Sequence, residues 1–142
     1  MRLLAVAASV AVFSVGAASA DPFEDRKSIM KERGAQMRVL GPIAQGQQPF
    51  DANAVLQALE TLNANAMAVD VEALWPEGTD TGDTKSAPTI WEDMAGFKAA
   101  NDKYAADVAA ALAANPQDLA AFQAAFGPVA ANCGACHQGY RL

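Results

Sequence analysis

The sequence ends in CGACHQGYRL, Cys133 to Leu142, and this stretch holds both cysteines and the single histidine of a 142-residue chain. Cys133, Cys136 and Tyr140 continue a series that starts at Leu119 and passes through Phe122, Phe126 and Val129, with intervals alternating between three and four. That period belongs to one face of an α-helix. Both thiols therefore fall on the core-facing seam of a final helix, with His137 beside Cys136. Gly127 and Pro128 interrupt this helix; Pro128 has no N–H to donate to Ala124, which predicts a kink.

Upstream the sequence reads as helical, rich in alanine and poor in β-branched runs. A first helix opens at Asp21–Pro22, a capping residue followed by proline at the first helical position, and is expected to run to about Leu40, where Gly41–Pro42 stops it. After the loop GPIAQGQQPF, Asp51 caps a second helix whose stripe is Val55, Leu59, Leu62, Ala66 and Val69. The turn-rich stretch WPEGTDTGDTKSAP is a loop, and Asp80 and Asp83 within it read as solvated. Ser86 is the expected cap of a third helix with Ile90, Met94, Phe97, Tyr104, Val108 and Leu112 inward and Asn101 interrupting. Asn115–Pro116 ends it and begins the fourth. Four amphipathic helices joined by short loops predict an all-α, antiparallel four-helix bundle.

Residues 1–20, MRLLAVAASVAVFSVGAASA, have one cation at Arg2, an apolar run and Ala18-Ser19-Ala20 before an abrupt change to DPFEDRK. That is the pattern of a secretory signal peptide with an A-x-A cleavage site. The 142 residues less this leader leave 122 for one domain, residues 21–142. No later segment reads as long and apolar enough to span a bilayer, so no membrane association is expected after cleavage. Losing Arg2 moves the formal charge from −6 to −7. An acidic chain argues against nucleic acid and suits docking to a basic partner. In an oxidising compartment two cysteines ordinarily pair, unless something else claims them.

C-x-x-C-H is the attachment signature of c-type haem. Two thiols three residues apart on one helical face each reach a vinyl group on the same porphyrin edge, and the adjacent imidazole reaches the iron. The rival readings are weaker. A disulfide here would close too small a loop to stabilise much. A thioredoxin-like pair belongs at a helix N-terminus in a βαβ pattern, and a zinc site needs further Cys or His ligands. With one histidine, bis-histidine ligation within a single chain is excluded. The sixth iron position is left to a thioether (Met30, Met37, Met67 or Met94), a lysine amine, or no protein ligand.

A leader, four helices and CxxCH in the final turns together resemble the class II c-type cytochromes, the cytochrome c′ family. That family has an R-x-x-x-(Leu or Met) pattern in its first helix, matched here by Arg26-Lys27-Ser28-Ile29-Met30. The runs IMKERGAQMRVLGPIAQGQQPFD, PTIW and CGACHQGYR resemble its low-spin, methionine-ligated branch. The resemblance implies one covalently attached haem c, with Cys133 and Cys136 as thioethers, His137 as proximal iron ligand and Met30 as distal ligand. It further implies Arg26 as partner of a haem propionate, with a solvated surface charge as the alternative reading. Met37 shares the face of Met30 and is the rival ligand. Gly34 either admits the porphyrin edge or weakens the helix. Arg141 lies near the imidazole, and Tyr140, Trp91 and Phe97 are pocket walls or ordinary core.

Two functions follow from the resemblance. One is a periplasmic carrier of single electrons through a six-coordinate His/Met haem, meeting redox partner proteins transiently. The alternative is a high-spin, five-coordinate haem that binds nitric oxide or carbon monoxide. No Ser/His/Asp or paired-carboxylate arrangement is placed by spacing, so no enzymatic activity is expected. A homodimer through the first two helices is a further implication.

Overall fold

A computed structural model describes residues 21–142; the expected leader lies outside them. The helices are α1 (Pro22–Ala44), α2 (Ala52–Met67), α3 (Val71–Leu74), α4 (Thr89–Glu92), α5 (Met94–Ala114) and α6 (Leu119–Tyr140). The four long ones pack in the ring order α1–α2–α5–α6 and back to α1. The start of α6 meets the end of α1 through Gln123 Nε2, which donates to the Ala44 carbonyl at 2.7 Å. This is the antiparallel four-helix bundle.

The capping residues act as their chemistry requires. Asp21 accepts from Phe23 N at 2.9 Å with Pro22 behind it, and Asp51 accepts from Asn53 N at 2.9 Å and Ala54 N at 3.1 Å. Elsewhere tertiary packing overrides local signals. α1 passes through Pro42 to Ala44, because Leu40 and Ile43 on either side of the proline are buried in the core. α6 is capped by Asp118, whose carboxylate accepts from Ala121 N at 2.8 Å, and it runs through Pro128 with Phe126 and Val129 buried. Asn115 ends α5 in the left-handed conformation (φ 42°).

The expected third helix is two. Asp93 (φ −133°, ψ 59°) separates α4 from α5, and its carboxylate caps α5 by accepting from Gly96 N at 3.0 Å. Ser86 is not a cap; its hydroxyl accepts from Trp75 Nε1 at 3.0 Å. The bilayer expectation also needs correction. α6 has 22 residues without a Lys, Arg, Asp or Glu, and is long and apolar enough, by length and composition, to cross a membrane. The cause is its alanine content; in the fold Phe122, Phe126 and Val129 are spent on the bundle core.

The core is divided. One cluster, built on Leu40, Val55, Leu59, Leu62, Val108 and Phe122, fills the bundle. A second, built on Val71, Trp75, Ile90 and Phe97, lies under the α2–α5 connection, with Cys136 and Tyr140 packed against it. Asn132 is the one buried polar residue of α6, and its Nδ2 donates to Asp107 Oδ2 at 2.7 Å while Lys103 Nζ reaches the same oxygen at 2.6 Å.

Two consequences are testable. These donors hold the Asp107 carboxyl below its ordinary value, led by the Lys103 contact and then Asn132. A depressed native value stabilises the fold at neutral pH, and the contribution is lost as pH falls through it. The thermal midpoint of Asp107→Asn is therefore expected to fall less steeply on acidification than that of the wild type. At Gly96, a Cβ would overlap the Asp93 carboxylate and lie 2.7 Å from the Tyr140 hydroxyl. Gly96→Ala is expected to lower stability by about 1–2 kcal/mol through loss of the α5 cap, measured by denaturant unfolding.

Candidate functional site

The α2–α5 connection is pinned from two sides, and the pinning shapes a cavity. From α1, Arg26 Nε donates to the Leu74 carbonyl at 2.5 Å, Nη1 to the Thr79 carbonyl at 3.1 Å, and Nη2 to the Thr79 hydroxyl. Its guanidinium carbon lies 5.2–5.5 Å from the ring centroids of Trp75, Phe23 and Trp91, within cation–π range. Arg26 is 4 % exposed, so the reading as a solvated charge fails. Burial lowers its pKa, opposed by Asp21.

From α6, the carbonyls of the last turn accept from the same connection. Thr89 Oγ1 donates to Gly139 O at 2.7 Å and Ala87 N to Tyr140 O at 3.0 Å, and Leu142 N donates back to Lys85 O at 2.9 Å. Orphan carbonyls at a helix C-terminus are thus satisfied by the loop that covers them. Tyr140 is fixed further by its hydroxyl, which donates to Asp93 Oδ2 at 3.0 Å. Trp75, Phe97 and Tyr140 form an edge-to-face chain with centroid separations of 4.8 and 5.1 Å.

The resulting cavity has a volume of about 430 Å³, within the roughly 300–1,000 Å³ range of cofactor sites. Met30 from α1 and Cys136 and His137 from α6 all line it, over apolar walls that include Ile90, Phe97 and Tyr140. Arg26 and Arg141 line it as well. Cys133 lies one helical turn before His137, half-buried, its thiol 3.8 Å from the Val129 carbonyl. Both cysteines are free thiols.

The rival methionines are elsewhere. Met37 packs against the main core cluster, Met94 packs against the second cluster, and Met67 is 78 % exposed. Among the described residues, Met30 is the one methionine of this cavity. Trp91 is not a cavity wall; its ring stacks near Arg26 and its Nε1 donates to Pro76 O at 3.1 Å. Gly34 also lies outside the lining, where a Cβ would meet only Arg38 at 3.7 Å. Asp83 is exposed as expected but paired, its carboxylate 2.5 Å from Lys27 Nζ.

Burial pushes both thiols above their ordinary pKa, opposed by the cationic Arg33. Desolvation, with Arg141 and then Arg33 adding to it, holds the His137 imidazole below its ordinary value. Both effects favour the uncharged imidazole, the form with a lone pair for a metal.

Arg33 was not singled out from the sequence. Its Nε donates to Asn65 Oδ1 at 2.7 Å and its guanidinium carbon stands 4.3 Å from the centroid of Tyr104. Asn65 is held in turn, its Nδ2 donating to Glu32 Oε2 at 2.5 Å. The Tyr104 hydroxyl is buried and has no hydrogen-bond partner among the described residues. The available signal was spacing: Arg33 lies seven residues after Arg26 and three after Met30, hence on their face of α1.

Against known proteins, residues 21–141 match the family model described as Cytochrome C'. The chain belongs to the cytochrome c′ family, whose members are haem proteins that carry electrons and hold a covalently attached haem c. It is 43 % identical over 119 residues to a cytochrome c-556 of Agrobacterium tumefaciens, covering 84 % of this chain and 95 % of that one. A solved cytochrome c' of Rhodopseudomonas palustris superposes with a TM-score of 0.79 at 32 % identity, covering 87 % of this chain and 97 % of the other. A nitric oxide complex of a cytochrome c prime variant from Alcaligenes xylosoxidans superposes with a TM-score of 0.67 at 33 % identity, over 86 % and 97 % of the two chains.

The residues present fit that cofactor: two free thiols at C-x-x-C spacing, an uncharged imidazole, and an apolar cavity shared by Cys136 and His137. The field of Arg33 acts on the same three groups, Cys133, Cys136 and His137. A fixed cation disfavours the oxidised iron, which carries one more positive charge. Arg33→Gln is therefore expected to lower the reduction potential, read by spectroelectrochemical titration, with the absorption bands of the bound haem unchanged.

Proposed function

We propose that this chain is a periplasmic carrier of single electrons whose haem iron is held between His137 and Met30. One observation carries the reading: Met30 lines the same cavity as Cys136 and His137, while Met37, Met67 and Met94 do not. Haem c supplies a one-electron iron couple, and histidine–methionine ligation sets it at a higher potential than other axial sets.

The chain's own residues do the rest. Cys133 and Cys136 tether the cofactor to α6, and His137 presents its uncharged nitrogen from the same helix. Met30 approaches from α1, on a helix fixed to the opposite wall through Arg26. Ile90, Phe97, Trp75 and Tyr140 keep water from the cavity floor. Arg26 is a buried cation of the cavity lining and so a candidate partner for a propionate, although its nitrogens already hold Leu74 and Thr79. Walls cross-linked in this way need little rearrangement when one electron arrives or leaves, which suits carriage rather than catalysis. The leader pattern at residues 1–20 supports export. A homodimer through α1 and α2 rests on the family resemblance, since the exposed Val39 and Met67 lie toward opposite ends of these helices.

A second reading has its own support. One structural neighbour is a nitric oxide complex, and Met30 is 37 % exposed, so no tight packing clamps its thioether. In that case the iron is five-coordinate and open to small gases.

Spectroscopy of the purified holoprotein separates the two. A low-spin ferric spectrum with the near-infrared methionine–iron band is expected, with no carbon monoxide binding by the wild type. Met30→Ala is expected to turn the ferric form high-spin and to admit carbon monoxide, whereas Met37→Ala leaves both properties unchanged. A high-spin wild type that binds carbon monoxide would transfer the assignment to gas binding.

A further inference from the structure

The charge of this chain is distributed against its average. Residues 21–142 contain nine Lys and Arg against sixteen Asp and Glu. Four of those nine cations, Arg26, Lys27, Lys85 and Arg141, line the site cavity, and of the sixteen acids only Asp83 does. Two of the four are anchored by backbone. Ser86 and Arg141 form a β-bridge, and Leu142 N holds the Lys85 carbonyl at 2.9 Å, so Lys85 and Arg141 are presented side by side at the surface. Lys27 is also exposed and shares its charge with Glu24 and Asp83.

Against the four cations stand Asp83 and Glu24, and the two propionates of a haem would bring the sum at the mouth to zero, on a molecule that is strongly negative elsewhere; Lys85 and Arg141 are in no ion pair among the described residues. Such a molecule has a large electric dipole, and an approaching charged partner is steered by the nearby field more than by the distant net charge. The acidic composition alone points to a basic partner; the placement of the cations points the other way.

Resting on the carrier reading above, we propose that this cavity mouth is the docking surface for an electron-transfer protein that presents a cluster of carboxylates. Lys85 and Arg141 make the direct contacts, Lys27 lies beside them, and the acidic remainder of the surface repels the partner from unproductive orientations. Contacts of this kind are small and short-lived, and charge governs their association rate more than their affinity.

The test uses the reduced holoprotein and two outer-sphere oxidants of opposite charge, ferricyanide and tris(phenanthroline)cobalt(III). The rate with ferricyanide is expected to fall as ionic strength rises, and the rate with the cobalt complex to rise. The opposite pair of slopes would mean that the net charge rules, and would overturn the proposal. Lys85→Glu is expected to slow ferricyanide at low salt by roughly three- to tenfold. Lys98→Glu makes the same change in net charge on α5 away from the cavity, and is expected to leave the rate close to wild type. Equal effects of the two would also overturn the proposal.

Poly-L-glutamate, a carboxylate cluster without a fold, is expected to compete with ferricyanide for the wild type and not for Lys85→Glu. Competition by poly-L-lysine alone would assign docking to the acidic body instead. Either oxidant needs only the haem edge. A high-spin spectrum would therefore defeat the Met30 assignment while leaving the salt dependence readable.

Discussion

A single buried guanidinium joins the two halves of the site. Arg26 stands on the first turns of α1 and holds the backbone of the α2–α5 connection at Leu74 and Thr79. The far end of the same connection is tied to the last carbonyls of α6 at Gly139 and Tyr140. The distance between the helix that brings Met30 and the helix that brings His137 is therefore set by covalent chain and hydrogen bonds together, not by packing alone. Removing the arginine would leave two half-buried carbonyls without this donor and an aromatic box without its cation.

This arrangement gives the cavity walls unequal tasks. The apolar face from Ile90, Phe97 and Tyr140 is built on edge-to-face rings and on the hydrogen bond from Tyr140 to Asp93, the residue that follows α4. The charged residues sit at the mouth, where Lys27 and Asp83 remain exposed and in exchange with solvent. Arg33 is the exception. It reaches inward from α1 against Tyr104, with no carboxylate of the described residues paired to it. A half-buried cation without a counter-charge is costly, and its charge is felt by the thiols of Cys133 and Cys136.

Much of the bundle was legible because periodicity and capping are local. The stripes Val55–Leu59–Leu62–Ala66 and Phe122–Phe126–Val129 are core, and Asp21 and Asp51 cap where their chemistry requires. The motif C-x-x-C-H was readable for the same reason, since five consecutive residues state the chemistry. The errors came from contacts distant in sequence. Pro42 stays inside α1 because the neighbouring side chains Leu40 and Ile43 are buried, and no local rule weighs that. Asp93, which separates α4 from α5, is bonded by Tyr140, forty-seven residues away. Arg26 partners Thr79 across fifty-three residues, and its burial could not be read from a first-turn arginine. By length and composition α6 could cross a membrane as well as serve as a core helix, and its packing against the other long helices makes its apolar face a core.

The separation of the core into two clusters has a consequence for motion. The larger cluster, from Leu40 to Phe122, is continuous and holds all four long helices. The smaller one rests on Val71, Trp75, Ile90 and Phe97 and is bounded by the two shortest helices. Local opening of a fold ordinarily follows contiguous units of this kind, and a smaller buried cluster opens at lower cost than a larger one. The end of the molecule where Met30, Cys136 and His137 meet thus rests on its own small core, while the opposite end rests on the larger one. Amide hydrogens along the α3–α4 segment should then exchange with solvent before those of central α2, and a tethered porphyrin would act as the keystone that slows them.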